Sequence, residues 1–251
     1  MTTIATTTAA IDDLVEAAHE LAALGLSPGT SGNVSVRFGD RVYLSATGAS
    51  MATLTPAGLS ELALDGTHLA GPRPTKEAPL HLAFYRKSDR TRAVVHLHSA
   101  AAVAASCLPP HSDLSALPPI TPYFVMRVGQ TPLIPYAAPG SSELANQIEL
   151  RTFEFRAALL QNHGSIVAAD SVARAVDAAI ELEAAAEVLM RLGSQEFTPL
   201  TDAQARELAD RYDSCWDGDG GEAGGGSAGG GSAGNGAEGG GGVGSAGSAG
   251  E

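Results

Sequence analysis

The stretch Asn33-Val34-Ser35-Val36-Arg37-Phe38-Gly39-Asp40-Arg41-Val42-Tyr43-Leu44-Ser45 decides the fold class. Val34 to Phe38 and Val42 to Ser45 alternate in the manner of strands, and Gly39-Asp40 between them suits a tight hairpin turn. The hairpin comes early, and the strands and helices beyond it follow no regular βαβ rhythm. This favours a mixed, largely antiparallel sheet covered by helices over a doubly wound parallel sheet.

Upstream, residues 11–25 read as a helix, with Ile11, Leu14, Val15, Ala18, Leu21 and Ala22 at helical spacing and Gly25 as its stop. Residues 1–10 read as a frayed start. Downstream, a helix is expected over Glu77 to Arg86, a strand over Ala93 to Leu97 and an alanine-rich helix over Ser99 to Cys107. Residues 108–122 carry five prolines and read as a loop. Tyr123 to Val128 and Leu133 to Pro135 read as short strands, Ser141 to Glu149 as a helix, Ala157 to Leu160 as a buried strand and Ser165 to Ala169 as extended. Asp170 or Ser171 caps a long helix to Arg191, closed by Gly193. Residues 11–216 thus form one domain. Residues 217–251, built mainly of Gly, Ala and Ser, cannot bury enough apolar surface to fold and read as a disordered tail.

The chain of 251 residues carries a formal charge of −13, of which five charges (Asp217, Asp219, Glu222, Glu238, Glu251) lie in that tail. An acidic chain without a basic face argues against nucleic-acid binding. No apolar run is long enough to span a bilayer, and the N-terminus has no basic segment leading into an apolar one. Cys107 and Cys215 stand apart, without metal-type spacing or a disulfide framework. A cytoplasmic protein is the expectation.

The chemistry centres on His96-Leu97-His98. Residues i and i+2 of a strand project from the same face, so both imidazoles stand side by side and can close on one ion. Two sheet histidines with ordinary hydrogen bonds fit the pattern equally. His163 follows an apolar strand in Asn162-His163-Gly164, and Glu77 opens a helix after Pro74-Thr75-Lys76. Taken singly, His163 reads as structural and Glu77 as a first-turn acid complementing the helix dipole. Together, three histidines and a carboxylate make a full ligand set for a divalent metal, zinc above all. His81, one turn after Glu77, reads as structural. Gly29-Thr30-Ser31-Gly32-Asn33, Thr47-Gly48 and Thr75-Lys76 offer hydroxyls and backbone N–H groups that can nest an anion, or they are three ordinary turns.

The order of these pieces, Pro28-Gly29-Thr30-Ser31-Gly32-Asn33-Val34-Ser35, Thr47-Gly48, Lys76-Glu77, His96-Leu97-His98 and His163-Gly164, resembles the class II aldolase family over roughly residues 10–195. The resemblance implies a three-layer α/β/α sandwich, a homotetramer, and one Zn2+ (or another divalent metal) per subunit on His96, His98 and His163. Glu77 would be the fourth ligand or an acid/base, Thr30, Asn33, Thr47 and Gly48 would surround a substrate phosphate, and Tyr123 stands where a proton-donating tyrosine occurs. Family members that act on sugar phosphates tend to carry a serine pair before the glutamate. Here Thr75-Lys76 replaces it, and this stretch, with residues 95–99 and 117–129, looks more like the subgroup of 3-oxo-tetronate 4-phosphate decarboxylases. Lys76 suits a substrate with a carboxylate as well as a phosphate. The implied reaction yields dihydroxyacetone phosphate and carbon dioxide through an enediolate stabilised by the metal. Cleavage of a ketose 1-phosphate such as L-fuculose 1-phosphate, 4-epimerisation of a sugar phosphate, and a silent binding module like the adducin head are the rival expectations.

Overall fold

A computed structural model of the chain describes residues 2–218; the tail expected over 217–251 lies outside the described residues from 219 onward. The strands are β1 (Asn33–Phe38), β2 (Arg41–Ser45), β3 (Leu59–Ala63), β4 (His68–Ala70), β5 (Ala93–Leu97), β6 (Leu133–Ile134), β7 (Ala157–Leu160) and β8 (Gly164–Ala169). They form one sheet in the order β4-β3-β2-β1-β5-β8-β7-β6. Each neighbouring pair is antiparallel except β6 with β7. The sheet is therefore mixed and largely antiparallel, as the early hairpin predicts, and β1 and β2 pair in the expected register with Phe38 opposite Arg41.

The helices are α1 (Thr2–Ala23), α2 (Ala78–Lys87), α3 (Ala100–Ser106), α4 (Pro122–Arg127), α5 (Ser142–Glu149), α6 (Val172–Leu192) and α7 (Asp202–Tyr212). They cover both faces of the sheet. Side chains alternate across a strand, so β5 sends Ala93, Val95 and Leu97 into a core shared with α1, α3, α4, α6 and α7. Val94 goes the other way, into a second core with α2 and α5. The same alternation divides Ala157 and Leu159 from Ala158 and Leu160 on β7. With helices on both faces, β5 and β7 are buried at every position, which is why Ala93–Val95 and Ala157–Leu160 read as continuous apolar runs. The result is an α/β/α sandwich.

Two local expectations are corrected. Helix α1 begins at Thr2 instead of Ile11, because residues 2–10 hold neither Gly nor Pro to stop a helix from extending out of its packed turns. Residues 123–128, expected as a strand, belong to α4. There Pro122 occupies the first turn, and Thr121 Oγ1 accepts a hydrogen bond from the Phe124 N–H at 3.0 Å. A proline at the start and a threonine cap outweigh the modest strand preference of Tyr, Phe and Val. Phe124 and Val125 are buried in the larger core.

Candidate metal centre

The centre lies where β5 ends and β8 begins. Asn33 on β1 stands opposite His96 on β5, and Leu97 opposite Ser165 on β8. His96 projects from β5 on the face of Val94, and His98 follows just past the strand end. The β7–β8 turn brings in His163, and Glu77 is the N-cap of α2. One ligand atom from each of Glu77, His96, His98 and His163 lies within 4.8 Å of every other. The three imidazole centroids are 4.7 to 4.9 Å apart.

Hydrogen bonding fixes which atoms face inward. His96 Nδ1 lies 2.8 Å from the Ser165 carbonyl, which can only accept, so Nδ1 carries the proton and Nε2 presents its lone pair. That Nε2 is 2.9 Å from His98 Nε2 and 3.3 Å from Glu77 Oε2. His163 Nε2 is 3.2 Å from Glu77 Oε1, without hydrogen-bond alignment. Glu77 Oε1 and both ring nitrogens of His163 are buried with no hydrogen-bond partner. Buried polar atoms without partners are rare in folded proteins. Lone pairs converging at this spacing are what a divalent cation needs, and the donor set of three imidazoles and a carboxylate fits one.

The electrostatics agree. Burial pushes the Glu77 carboxyl up, but the His163 and His96 imidazoles and the Asn33 amide outweigh it and hold Glu77 ionised, well below the usual carboxylate range. Burial, reinforced by His96 and His163, lowers His98 to about 4 against the opposing pull of Glu77, so its imidazole is neutral. Neutral imidazole and ionised carboxylate are the metal-binding forms.

A cavity of about 240 Å³ opens onto this cluster. Thr30, Asn33, Thr47, Gly48, Thr75 and Lys76 all line it, together with Glu77, His98 and His163. The three polar turns of the sequence, far apart along the chain, thus meet in one place. The stem of Lys76 rests on Gly140, where an added Cβ would lie 3.0 to 3.2 Å from its Cβ, Cγ and Cδ. His96 is fully buried behind the wall. Tyr123 is not brought to this cavity: it sits on α4, 57% exposed, with the Arg127 guanidinium 5.4 Å from its ring centre. Sequence reading missed Pro139 in the wall and the two hydrogen bonds Asn33 Nδ2 donates, to Glu77 Oε2 at 2.7 Å and to Thr75 Oγ1 at 3.4 Å. A second cavity, about 200 Å³, lies at the other end of β5 and β8. Its Arg90 pairs with Asp213 and its Arg174 with Asp170, so those charges are already matched.

The pattern of the class II aldolase and adducin N-terminal domain family matches residues 12–190. The chain belongs to that family. A 3-oxo-tetronate 4-phosphate decarboxylase from Haemophilus influenzae is 41% identical over 188 residues, covering 74% of this chain and 90% of that protein. One from Escherichia coli is 39% identical over 185 residues, covering 73% and 87%. The crystal structure of YgbL from Klebsiella pneumoniae superposes with a TM-score of 0.76 at 33% identity, covering 80% of this chain and 98% of the other. With such relatives the chain is an enzyme of the lyase class, and Glu77, His96, His98 and His163 form a group that could hold a divalent metal ion. Among the described residues no helix is long and apolar enough to cross a membrane.

Proposed function

We propose that the protein decarboxylates a 3-oxo-tetronate 4-phosphate to dihydroxyacetone phosphate and carbon dioxide. The observation that carries this reading is Lys76 in the same cavity as the Thr30, Asn33, Thr47 and Gly48 turns and the histidine cluster. The substrate has two anionic ends flanking a ketone, and the cavity holds two kinds of anion partner together with a metal-ligand set. The names of the Haemophilus influenzae and Escherichia coli relatives support the same substrate.

In this reading Thr30, Thr47 and Gly48 hold the phosphate through hydroxyl and backbone N–H donors, while Asn33, whose amide already donates to Glu77 and Thr75, forms the wall between the phosphate and the histidine cluster. The Lys76 ammonium holds the C1 carboxylate until it leaves. His96, His98, His163 and Glu77 would hold zinc, one ion per subunit, whose positive charge draws electrons toward the ketone oxygen. Loss of carbon dioxide leaves an electron pair at C2, which takes one proton to complete dihydroxyacetone phosphate. Glu77, ionised at rest, carries no proton of its own, so within one chain it acts as acid/base only by relaying a proton supplied by water. Tyr123, exposed on α4, serves as donor only to the site of a neighbouring copy in the homotetramer we infer. We place the enzyme in the cytoplasm.

Zinc-loaded protein is expected to release dihydroxyacetone phosphate and carbon dioxide from 3-oxo-tetronate 4-phosphate faster than the spontaneous background, and a chelator to abolish the excess. No acceleration with metal in place would overturn the substrate, and cleavage of a ketose 1-phosphate would then be assayed. Lys76→Met is expected to raise KM about 10- to 100-fold, the worth of one charged hydrogen bond, while metal content stays unchanged. Gly140→Ala, which crowds the Lys76 stem, is expected to move KM in the same direction by less. An unchanged KM in Lys76→Met would remove Lys76 from the carboxylate.

A further inference from the structure

We propose that His81, outside the ligand set, is a positioning residue that fixes the Asn33 amide and through it commits one oxygen of Glu77, leaving the other for the metal. His81 lies one turn beyond Glu77 on α2 and is fully buried. Its Nε2 is 2.5 Å from Asn33 Oδ1, and its Nδ1 is 2.8 Å from Ser35 Oγ. Ser35 Oγ is in turn 2.8 Å from the Tyr85 hydroxyl. Asn33 and Ser35 alternate with the apolar Val34 and Val36 on β1, so both face α2.

Proton counting gives this chain one direction. An ionised carboxylate only accepts, so Asn33 presents Nδ2 to Glu77 Oε2 at 2.7 Å and turns Oδ1 to His81. Oδ1 also only accepts, so the His81 proton sits on Nε2. A neutral imidazole has one N–H, so Nδ1 must accept from the Ser35 hydroxyl. Ser35 has then used its proton, and the Tyr85 hydroxyl donates to Ser35 Oγ. Burial first, and then the neighbouring His96, lower His81 to about 3 against the pull of Glu77, which keeps the ring in this neutral form. Four hydrogen bonds in series thus point at Glu77 Oε2, while Glu77 Oε1 remains without a partner. Rotating the Asn33 amide by half a turn would set oxygen against the carboxylate and N–H against N–H. His81 therefore does what an apolar side chain of equal size would not: it distinguishes the two ends of Asn33. Groups that orient a ligand through a hydrogen bond typically change metal affinity 10- to 100-fold when removed.

The inference rests on the cluster being a metal site, not on the proposed substrate, so the test reads metal binding directly. Cobalt(II) is added to metal-free wild type, His81→Phe, His81→Gln and Ser35→Ala, with affinity from chelator competition, the visible spectrum of the bound ion, and Tm of each metal-free protein. His81→Phe is expected to weaken cobalt binding about 10- to 100-fold and alter the spectrum. His81→Gln, whose amide can still donate to Asn33, is expected to recover most of the affinity. Wild-type affinity and spectrum in His81→Phe, or a loss in His81→Gln as large as in His81→Phe, would overturn the proposal. Should His81→Phe not fold, Ser35→Ala decides. Weaker cobalt at an unchanged Tm supports the chain, and unchanged affinity overturns it. A wild type that takes up no cobalt would instead overturn the metal centre itself.

Discussion

Replacing His163 by alanine is expected to leave the protein folded, without its metal and without activity. The substitution is informative because neither ring nitrogen of His163 makes an aligned hydrogen bond. Truncation removes its 3.2 Å contact with Glu77 Oε1, while His96 and the Asn33 amide still act to keep Glu77 ionised. His96 differs: its Nδ1–H is bonded to the Ser165 carbonyl, and its loss would leave a buried acceptor unsatisfied between β5 and β8. His163 sits on the β7–β8 turn, where the backbone geometry is kept by the His163 N–H bond to the Leu160 carbonyl at 3.0 Å. A lost ligand should exceed the 10- to 100-fold penalty of a lost supporting group. His163→Ala should therefore bind zinc at least about 100-fold more weakly, with a metal-free Tm close to that of wild type. Dialysed protein analysed for metal, beside a thermal melt, checks both halves. Full metal retention in a folded His163→Ala would confine the ligand set to Glu77, His96 and His98.

Much of this was legible because its physics is local. The two-residue period of a strand places His96 and His98 on one face from sequence alone, and Ala93–Leu97 is β5 as expected. Gly39-Asp40 announces the β1–β2 hairpin for the same reason. What the sequence hides is contact at long range. Asn33 and Glu77 meet although they are 44 positions apart, through β1 pairing with β5 and α2 packing over both. His81 reads as an ordinary helix residue until Ser35 and Asn33 are seen to face it. Strand β3, Leu-Ser-Glu-Leu-Ala, has little strand preference of its own, and its state follows from pairing with β2. Helix α4 failed the other way, where Thr121 and Pro122 outweighed the residues that follow them.

Gly164→Ala is expected to have the largest effect on stability among single methyl additions near the site, and to disturb the site with it. Gly164 has φ +154, in a region an L side chain rarely adopts, and a Cβ there would lie 2.2 Å from the Leu97 carbonyl oxygen and 3.3 Å from His98 Cα. The obstacle is backbone in the middle of the sheet, since β5 is held by β1 on one side and β8 on the other. It has no rotamer through which to yield. Relief requires the β7–β8 turn to move off β5, and that motion separates His163 from His98. Strain and clash together should cost about 3 kcal/mol or more, lowering Tm by roughly 10 °C in a domain of this size. Metal affinity should fall in parallel. Gly39→Ala is the control: φ is +58, but no atom lies within 4 Å of the added Cβ, so it should cost only the about 1–2 kcal/mol of left-handed backbone and leave metal binding intact. If the two variants melt alike, the close approach of β8 to the end of β5 is not what holds His163 in place, and the turn itself must carry that role.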